Sequence, residues 1–440
     1  MKEVGVSLFR HPHITSYLDK WAFDSPGKVA VVQAEEGRQW MYSQLAYKVD
    51  VLTQKLWKEG LSVGDRLVSF LPNNPENMAL MWACWRLGVA YVPLTDSHLD
   101  QNLGDLMRSI QPKLCILTQR AATYMLSKGV KFRSSPFEWR VWNAQGKGMG
   151  KLGLKNFSLP NSRLTRIFGR RRKTWEEISG QLHGWQPALI LHPYTAGNTE
   201  EPMIICYQQI QAQIQAVSEL IRLGKNVKAL SYPPVQYAES IILSMILPIV
   251  LGGTAVLTNA TSTVELRTLV NKYHVNMLVP RSVSMEKHFT SGPNSAEWSS
   301  LSHILFPYPK SHEGLGSTLF CKKIGGIHMK ECGGYMALQH PKFDELFIPL
   351  TAISIREEMK ANGREGREVE RGQIGEVCVH PPLVHGGFLS SEGIHSPNVS
   401  REGLFYTGMN GRLVEREDRI FLEIRLEEQQ AVAVPMVPAA

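Results

Sequence analysis

The chain has 440 residues, 43% of them hydrophobic and 20% charged, with a formal net charge of +8 at pH 7. That length is enough for two or three packed subdomains, and that composition excludes a disordered, collagen-like or disulfide-stapled chain. The six cysteines, Cys84, Cys115, Cys206, Cys321, Cys332 and Cys378, form no C-x-x-C pair and have no histidine at metal-ligand spacing. They read as small buried hydrophobes in a reducing compartment.

The N-terminal stretch MKEVGVSLFRHPH lacks the apolar run of a signal peptide. The strands KVAVVQ and RQWMYS follow, joined at AEEG as a hairpin. From Ser43 to Glu59, Leu45, Val49, Leu52 and Leu56 repeat at helical spacing, and Gly60 ends the helix. DRLVSFLP reads as a buried strand. Asn74 then caps a helix with Pro75 at its first position, running to Leu87 before Gly88. AYVPL and KLCILT are further strands, and this alternation predicts a mainly parallel sheet with right-handed crossovers.

Positions 119–184 break the rhythm and read as a long connection with one or two short elements. From Gln119 to Gly180, fourteen Lys/Arg face three Glu, a local net of +11 that leaves about −3 for the rest of the chain. The glutamine-rich helix after IICY carries Ile210, Ile214, Val217 and Leu220 on one face. The uncharged stretch from Ser240 to Val264 could pass for a membrane span, but Pro248 and Gly252-Gly253 interrupt it. A buried helix ending near Val250, a glycine turn and a strand from Thr254 to Thr258 fit better. NMLVP and HILFPYP are strands. After Leu346 come short β segments, GQIGEVCVHPP, GLFYTG and RIFLEI.

The expected organisation is therefore α/β, with two α/β subdomains of mainly parallel sheet and a small barrel-like β-rich subdomain. The first α/β unit spans 1–184 and includes the basic connection 119–184. The second spans 185–345, the β-rich part 346–425, and a stub with a frayed tail 426–440. A cytoplasmic location is expected, with peripheral association at an anionic surface open to the basic segment. The run GMGKLG, Gly148 to Gly153, matches a dinucleotide fingerprint but lacks the strand before and the helix after that the motif needs.

Five segments occur in an order that resembles the adenylate-forming family of acyl-CoA synthetases, aryl-acid ligases and luciferase-like enzymes, over roughly 17–428. They are GLSVGDRLVSFLPNNPENMALMWACWRLGVAYVPL; HPYTAGNTEEPMIICY; YPPVQYAES with LPIVLGGTAVL; ECGGYM; and GQIGEVCVHPP…GLFYTGMNGRL…RIFLEIRLEE. The resemblance implies the fold of that family's large domain and an ancestral chemistry in which ATP and a carboxylate form an acyl-adenylate that a thiol then captures. It implies a loop wrapping pyrophosphate with backbone N–H groups, and a Thr-Glu pair for α-phosphate and Mg²⁺. It also implies an aspartate for the ribose hydroxyls and a lysine on a C-terminal domain.

Carried over residue by residue, Thr195, Gly197, Thr199 and Pro202 match the loop. Ala196, Asn198, Glu200 and Met203 depart from it, Glu200 replacing a glycine and Met203 the lysine. Gly333 matches the second motif, while Tyr335 and Met336 replace its Thr and Glu. Gln236 stands where many members have His, Met409 replaces the ribose aspartate, and Arg425 matches the hinge-proximal arginine. With fifteen residues after Arg425, the lysine domain is expected to be missing.

The Lys-to-Met and Gly-to-Glu differences shift the loop by two negative charges beside a polyanion. One unit pair near ~4 Å is worth up to ~4 kcal/mol at an effective dielectric of ~20, and each lost ribose hydrogen bond about 1.5–3 kcal/mol. Together these remove several decades of affinity.

The leading expectation is a non-catalytic ligand-binding, scaffold or regulatory homologue that needs no cofactor and works with a partner enzyme or an acyl ligand. The alternative is a ligase with altered motifs that still uses ATP and Mg²⁺. A third places the activity in the basic segment 163–173, with Arg166, Arg170, Arg171, Arg172 and Lys173 as polyanion-binding candidates. No specific nucleic-acid site is identified.

Six basic residues in eleven positions, 163–173, cannot be buried without partners. The chain should therefore bind heparin or anionic vesicles at low salt and release them at moderate salt. Changing Arg170, Arg171 and Arg172 together to Ala should weaken retention on a heparin column, and unchanged retention would refute the assignment.

Overall fold

The computed structural model describes residues 13–100, 103–143, 154–158, 178, 181–192, 201–232, 237–280, 298–306, 322–339, 346–347, 353–381, 383–384, 386–416 and 419–424. Three sheets organise them. A seven-stranded sheet runs in the order Lys322–Ile324, His303–Leu305, Met277–Leu278, Lys228–Ser231, Thr254–Leu257, Val29–Gln33, Arg38–Met41. All its neighbours are parallel except the hairpin of the last two.

A nine-stranded sheet runs Gly393–His395, Phe388–Ser390, Met203–Cys206, Pro187–Leu191, Ala90–Pro93, Arg66–Phe70, Leu114–Leu117, Glu138–Trp142, Lys155–Phe157. It is parallel from Pro187–Leu191 onward and antiparallel at the other end. The third sheet is antiparallel: Gly326–Met329, Gly334–Gln339, Leu346–Phe347, Arg419–Ile424, Phe405–Arg416, Gly375–Val379, Ile353–Arg356. Mixed α/β with parallel sheets and a β-rich unit is thus the architecture.

The sheets do not follow the chain in blocks. The N-terminal hairpin joins strands from 228 onward, and the 388–395 hairpin extends the nine-stranded sheet beside Met203.

Two segments differ from the reading of the sequence. The basic connection is more structured than expected. It holds a helix at Gln119–Ser127, a short 3-10 turn at Phe132–Ser134 and two strands that lengthen the nine-stranded sheet. Arg140 conceals the strand Glu138–Trp142. Its guanidinium lies buried between Glu59 (2.7 Å) and Glu138 (2.8 Å), while Trp139 and Val141 also turn into the interior. A charged residue breaks the apolar signal of a strand, yet pairing makes its burial tolerable. The third sheet also begins at Gly326, ahead of the expected 346.

Local chemistry accounts for the elements that position the centre. The Asn74 side chain accepts from the Asn77 N–H at 2.8 Å and Pro75 opens the helix Pro75–Arg86, every residue of which is buried. Such burial on all sides demands a partner for each polar side chain. Glu76 pairs with Arg38, Asn77 accepts from Ser69 (2.9 Å) and Tyr91, and Arg86 bridges Asp19 and Asp50.

The helix Tyr42–Lys58 buries Leu45, Val49, Leu52 and Leu56 completely, and Leu61 N–H closes its end on the Leu56 carbonyl at 3.1 Å. The apolar run after Ala238 passes through a π-helical turn, Ile242–Ile246, just before Pro248. Wider winding there accommodates a residue with no N–H. Gly252 then reverses the chain at φ +76°, where a Cβ would lie 2.4 Å from the Trp21 ring. Among the described residues no helix is long and apolar enough to cross a membrane.

Arg86 is the most exacting of these partnerships, being 4% exposed between two carboxylates. Replacing it with Met should cost about 3 kcal/mol, because two poorly solvated carboxylates lose their cation. Urea unfolding measures this, and restoring neutrality with Asp50→Asn in the Arg86→Met background should recover part of the loss.

Candidate functional site

The strands Pro187–Leu191 and Met203–Cys206 pair antiparallel, so Met203–Cys206 lies beside the edge of the parallel array and runs against it. His98 anchors the exit: its Nε2 lies 2.9 Å from the His192 carbonyl, and its Nδ1 receives the Thr95 N–H at 3.0 Å. Burial lowers the His98 pKa to about 4, so it stays neutral at pH 7.

The expected positions Thr195, Gly197, Asn198, Thr199 and Glu200 of the loop lie outside the described residues, as do Gln236 and Arg425. So do Arg166, Arg170, Arg171, Arg172 and Lys173, and the decoy Gly148 to Gly153.

Five of the expected site residues are described. Met203 opens its strand opposite Leu191 and Phe388, and it is 2% exposed within the main apolar cluster. Gly333 and Gly334 close the 3-10 turn Lys330–Cys332 at φ +65° and +147°. At Gly334 a Cβ would stand 2.7 Å from the Gln213 amide oxygen, so the close approach of that side chain requires glycine.

Tyr335 and Met336 then alternate across the strand Gly334–Gln339. Tyr335 joins the main cluster, and burial raises its phenol well above the ordinary value. Met336, 2% exposed, points into the separate apolar cluster of the third sheet with Ile353, Val377, Val379 and Leu422. Met409 is half-buried against that same cluster. Its N–H donates to the Thr407 hydroxyl at 3.2 Å, and the Gly408 N–H donates to Glu376 at 2.8 Å.

Four residues that the sequence reading did not single out hold the centre together. Gln209 and Gln213, one helical turn apart and fully buried, reach from the helix Tyr207–Ile221 to the turn. Gln209 donates to the Glu331 (3.1 Å) and Leu383 (3.0 Å) carbonyls, and Gln213 to those of Cys332 (3.1 Å) and Tyr335 (2.7 Å). The other two are Glu239 and His328, whose carboxylate and imidazole meet at 2.9 Å. The glutamines had a signal, since amides spaced four apart beside Ile210 and Ile214 interrupt an apolar face. Nothing in the sequence pairs Glu239 with a residue eighty-nine positions on.

Met336 and Met409 present thioethers, weak acceptors that suit neither a hard cation nor a sugar hydroxyl. Among the described residues no group of three His, Cys, Asp or Glu could hold a metal ion.

Parallel α/β sheets with an antiparallel third sheet give the fold of the large N-terminal domain of acyl-CoA synthetase-like structures. The chain belongs to the AMP-binding enzyme family, whose model matches residues 18–389.

It is similar to triostin synthetase I of Streptomyces triostinicus, at 22% identity over 87% of this chain and 69% of that protein. It also resembles the mitochondrial acyl-CoA synthetase short-chain family member 3 of Rattus norvegicus, at 26% identity over 37% of this chain and 24% of that protein. Among solved structures, the inhibitor-bound N-terminal domain of FACL13 from Mycobacterium tuberculosis superposes with a TM-score of 0.70 at 14% identity. That match covers 95% of this chain and 100% of that one.

Because Met336 lies in an apolar cluster, Met336→Glu should bury a carboxylate and cost about 3 kcal/mol at neutral pH. The buried acid would have a raised pKa. Its penalty is therefore full above that raised folded value and eases as pH falls from there to the unfolded value of about 4.3. Thermal melting of variant and wild type at about pH 7 and pH 4.5 checks this; an equal deficit at both would place the side chain in water.

Proposed function

We propose that this chain is a non-catalytic member of the AMP-binding family, acting as a ligand-binding, scaffold or regulatory homologue of acyl-CoA synthetases. The observation that supports the reading is that Met336 and Met409 share one apolar cluster. These are the positions where the family resemblance calls for the metal carboxylate and the ribose carboxylate. A single departure would be drift. Two that join the same cluster put apolar packing where an ion and a sugar would need polar groups. Met203 adds to this, because the position that should carry the phosphate-binding lysine is core.

The runner-up is a ligase that uses ATP and a carboxylate with altered motifs. The names of the relatives, a triostin synthetase and an acyl-CoA synthetase, favour it only through kinship.

Calorimetric titration with ATP and Mg²⁺ separates the two. The wild-type chain should give no binding heat at micromolar concentrations. Met409→Asp combined with Glu200→Gly should gain affinity, and the pair should gain more than either alone because both contacts order one ligand. Pyrophosphate release by the wild-type chain with any carboxylate would overturn the reading and establish the ligase.

A further inference from the structure

The contact between Glu239 and His328 joins two units of the fold. Glu239 belongs to the helix Ala238–Ile241, which leads into the π turn beside the parallel sheet. His328 belongs to Gly326–Met329, the edge strand of the third sheet. Ile327 and Met329 on either side of it pack against the third sheet's own cluster, so His328 faces the opposite way, towards the helices. Its cross-strand partner is Tyr335, whose ring stands edge-on at 6.0 Å between centroids. Side-chain exposure is 10% for Glu239 and 19% for His328. Salt and water therefore screen this pair far less than a surface pair.

We propose that the Glu239–His328 pair is a proton-dependent latch: it holds the edge of the third sheet against the helical layer while His328 is charged, and loosens that edge when the imidazole loses its proton. The groups facing His328 are Glu239 from the helix, Glu331 from the turn at the end of its own strand, and Tyr335 from the neighbouring strand. Burial works against the imidazolium, but the close Glu239 carboxylate, with Glu331 behind it, outweighs burial and raises the His328 pKa above its ordinary 6.5.

A histidine with a folded pKa above its unfolded one contributes stability that is complete below pH 6.5 and disappears as pH rises through the folded value. The window therefore opens above 6.5. His13, His98 and His303 act in the other direction: burial lowers each to about 4, so what they contribute is lost on the acid side. The two effects occupy different pH ranges. The latch stands apart from the reading that the nucleotide site is vestigial, since neither of its residues is one of the departed motif positions.

Hydrogen–deuterium exchange of the full wild-type chain, corrected for intrinsic rates, tests this from about pH 6 to pH 9. Amides in 326–339 should lose protection progressively across that range, while Arg66–Phe70 and Leu114–Leu117 of the nine-stranded sheet keep theirs. In His328→Gln the 326–339 amides should be several-fold less protected at about pH 6 and their protection should no longer change with pH. Glu239→Gln should do the same, and the double variant should add little to either. Uniform loss of protection across all sheets in the wild type would overturn the latch. So would an unchanged pH profile in both single variants. Because the wild-type measurement stands alone, a variant that fails to fold leaves the test intact.

Discussion

Two glutamine side chains determine how the third sheet sits on the rest of the molecule. Gln209 and Gln213 extend from one face of the helix Tyr207–Ile221 and use both ends of their amides. Each oxygen accepts a backbone N–H at 3.0 Å, from Cys206 and from Tyr335, and the amide nitrogens serve carbonyls of Glu331, Cys332, Tyr335 and Leu383. All of this happens away from water, where a carbonyl left without its donor costs about 1–3 kcal/mol. The turn at Gly333-Gly334 cannot shift without breaking several such bonds at once. The pairing with Gly326–Met329 shifts register at this point, so that Tyr335 faces the main core while Met336 and Ala337 both enter the interior of the third sheet.

That geometry changes how the departed motif should be understood. If Met336 projected into an open cleft, it would be one substitution away from a metal ligand. Instead it packs among Val377, Val379 and Leu422, with Met409 against the same cluster, and Met203 lies in the larger core beside Leu191. Placing a charge at Met203 or Met336 means desolvating it, at a cost to stability. On the proposed reading, apolar packing competes with ATP recognition for these positions.

Much of the scaffold was legible because its signals are local. Asn74-Pro75 announces a helix start whatever lies around it, and Gly252-Gly253 announces the turn that breaks the long apolar run. The strand Glu138–Trp142 was hidden because Arg140 is neutralised by Glu59, which is remote in sequence. The start of the third sheet carries no local signal either: glycines disfavour a strand, and here close neighbours require them, the Ala337 carbonyl at Gly326 and the Gln213 amide at Gly334. At the site, motif order located Tyr335, Met336 and Met409 along the chain. The directions Tyr335 and Met336 face depended on a hydrogen-bonded turn that no periodicity encodes.

The remaining polar chemistry of the interior follows one rule. Arg86 is neutralised by Asp19 and Asp50, Arg140 by Glu59 and Glu138, Glu76 by Arg38, and His328 by Glu239. Each of these charges sits in a medium where an uncompensated ion would cost several kcal/mol, and each is matched within the chain. A phosphate-binding centre needs the opposite, a positive charge kept without an internal partner so that the ligand supplies one. Within this set His328 is the member whose charge can be lost, since an imidazolium gives up its proton far more readily than a guanidinium.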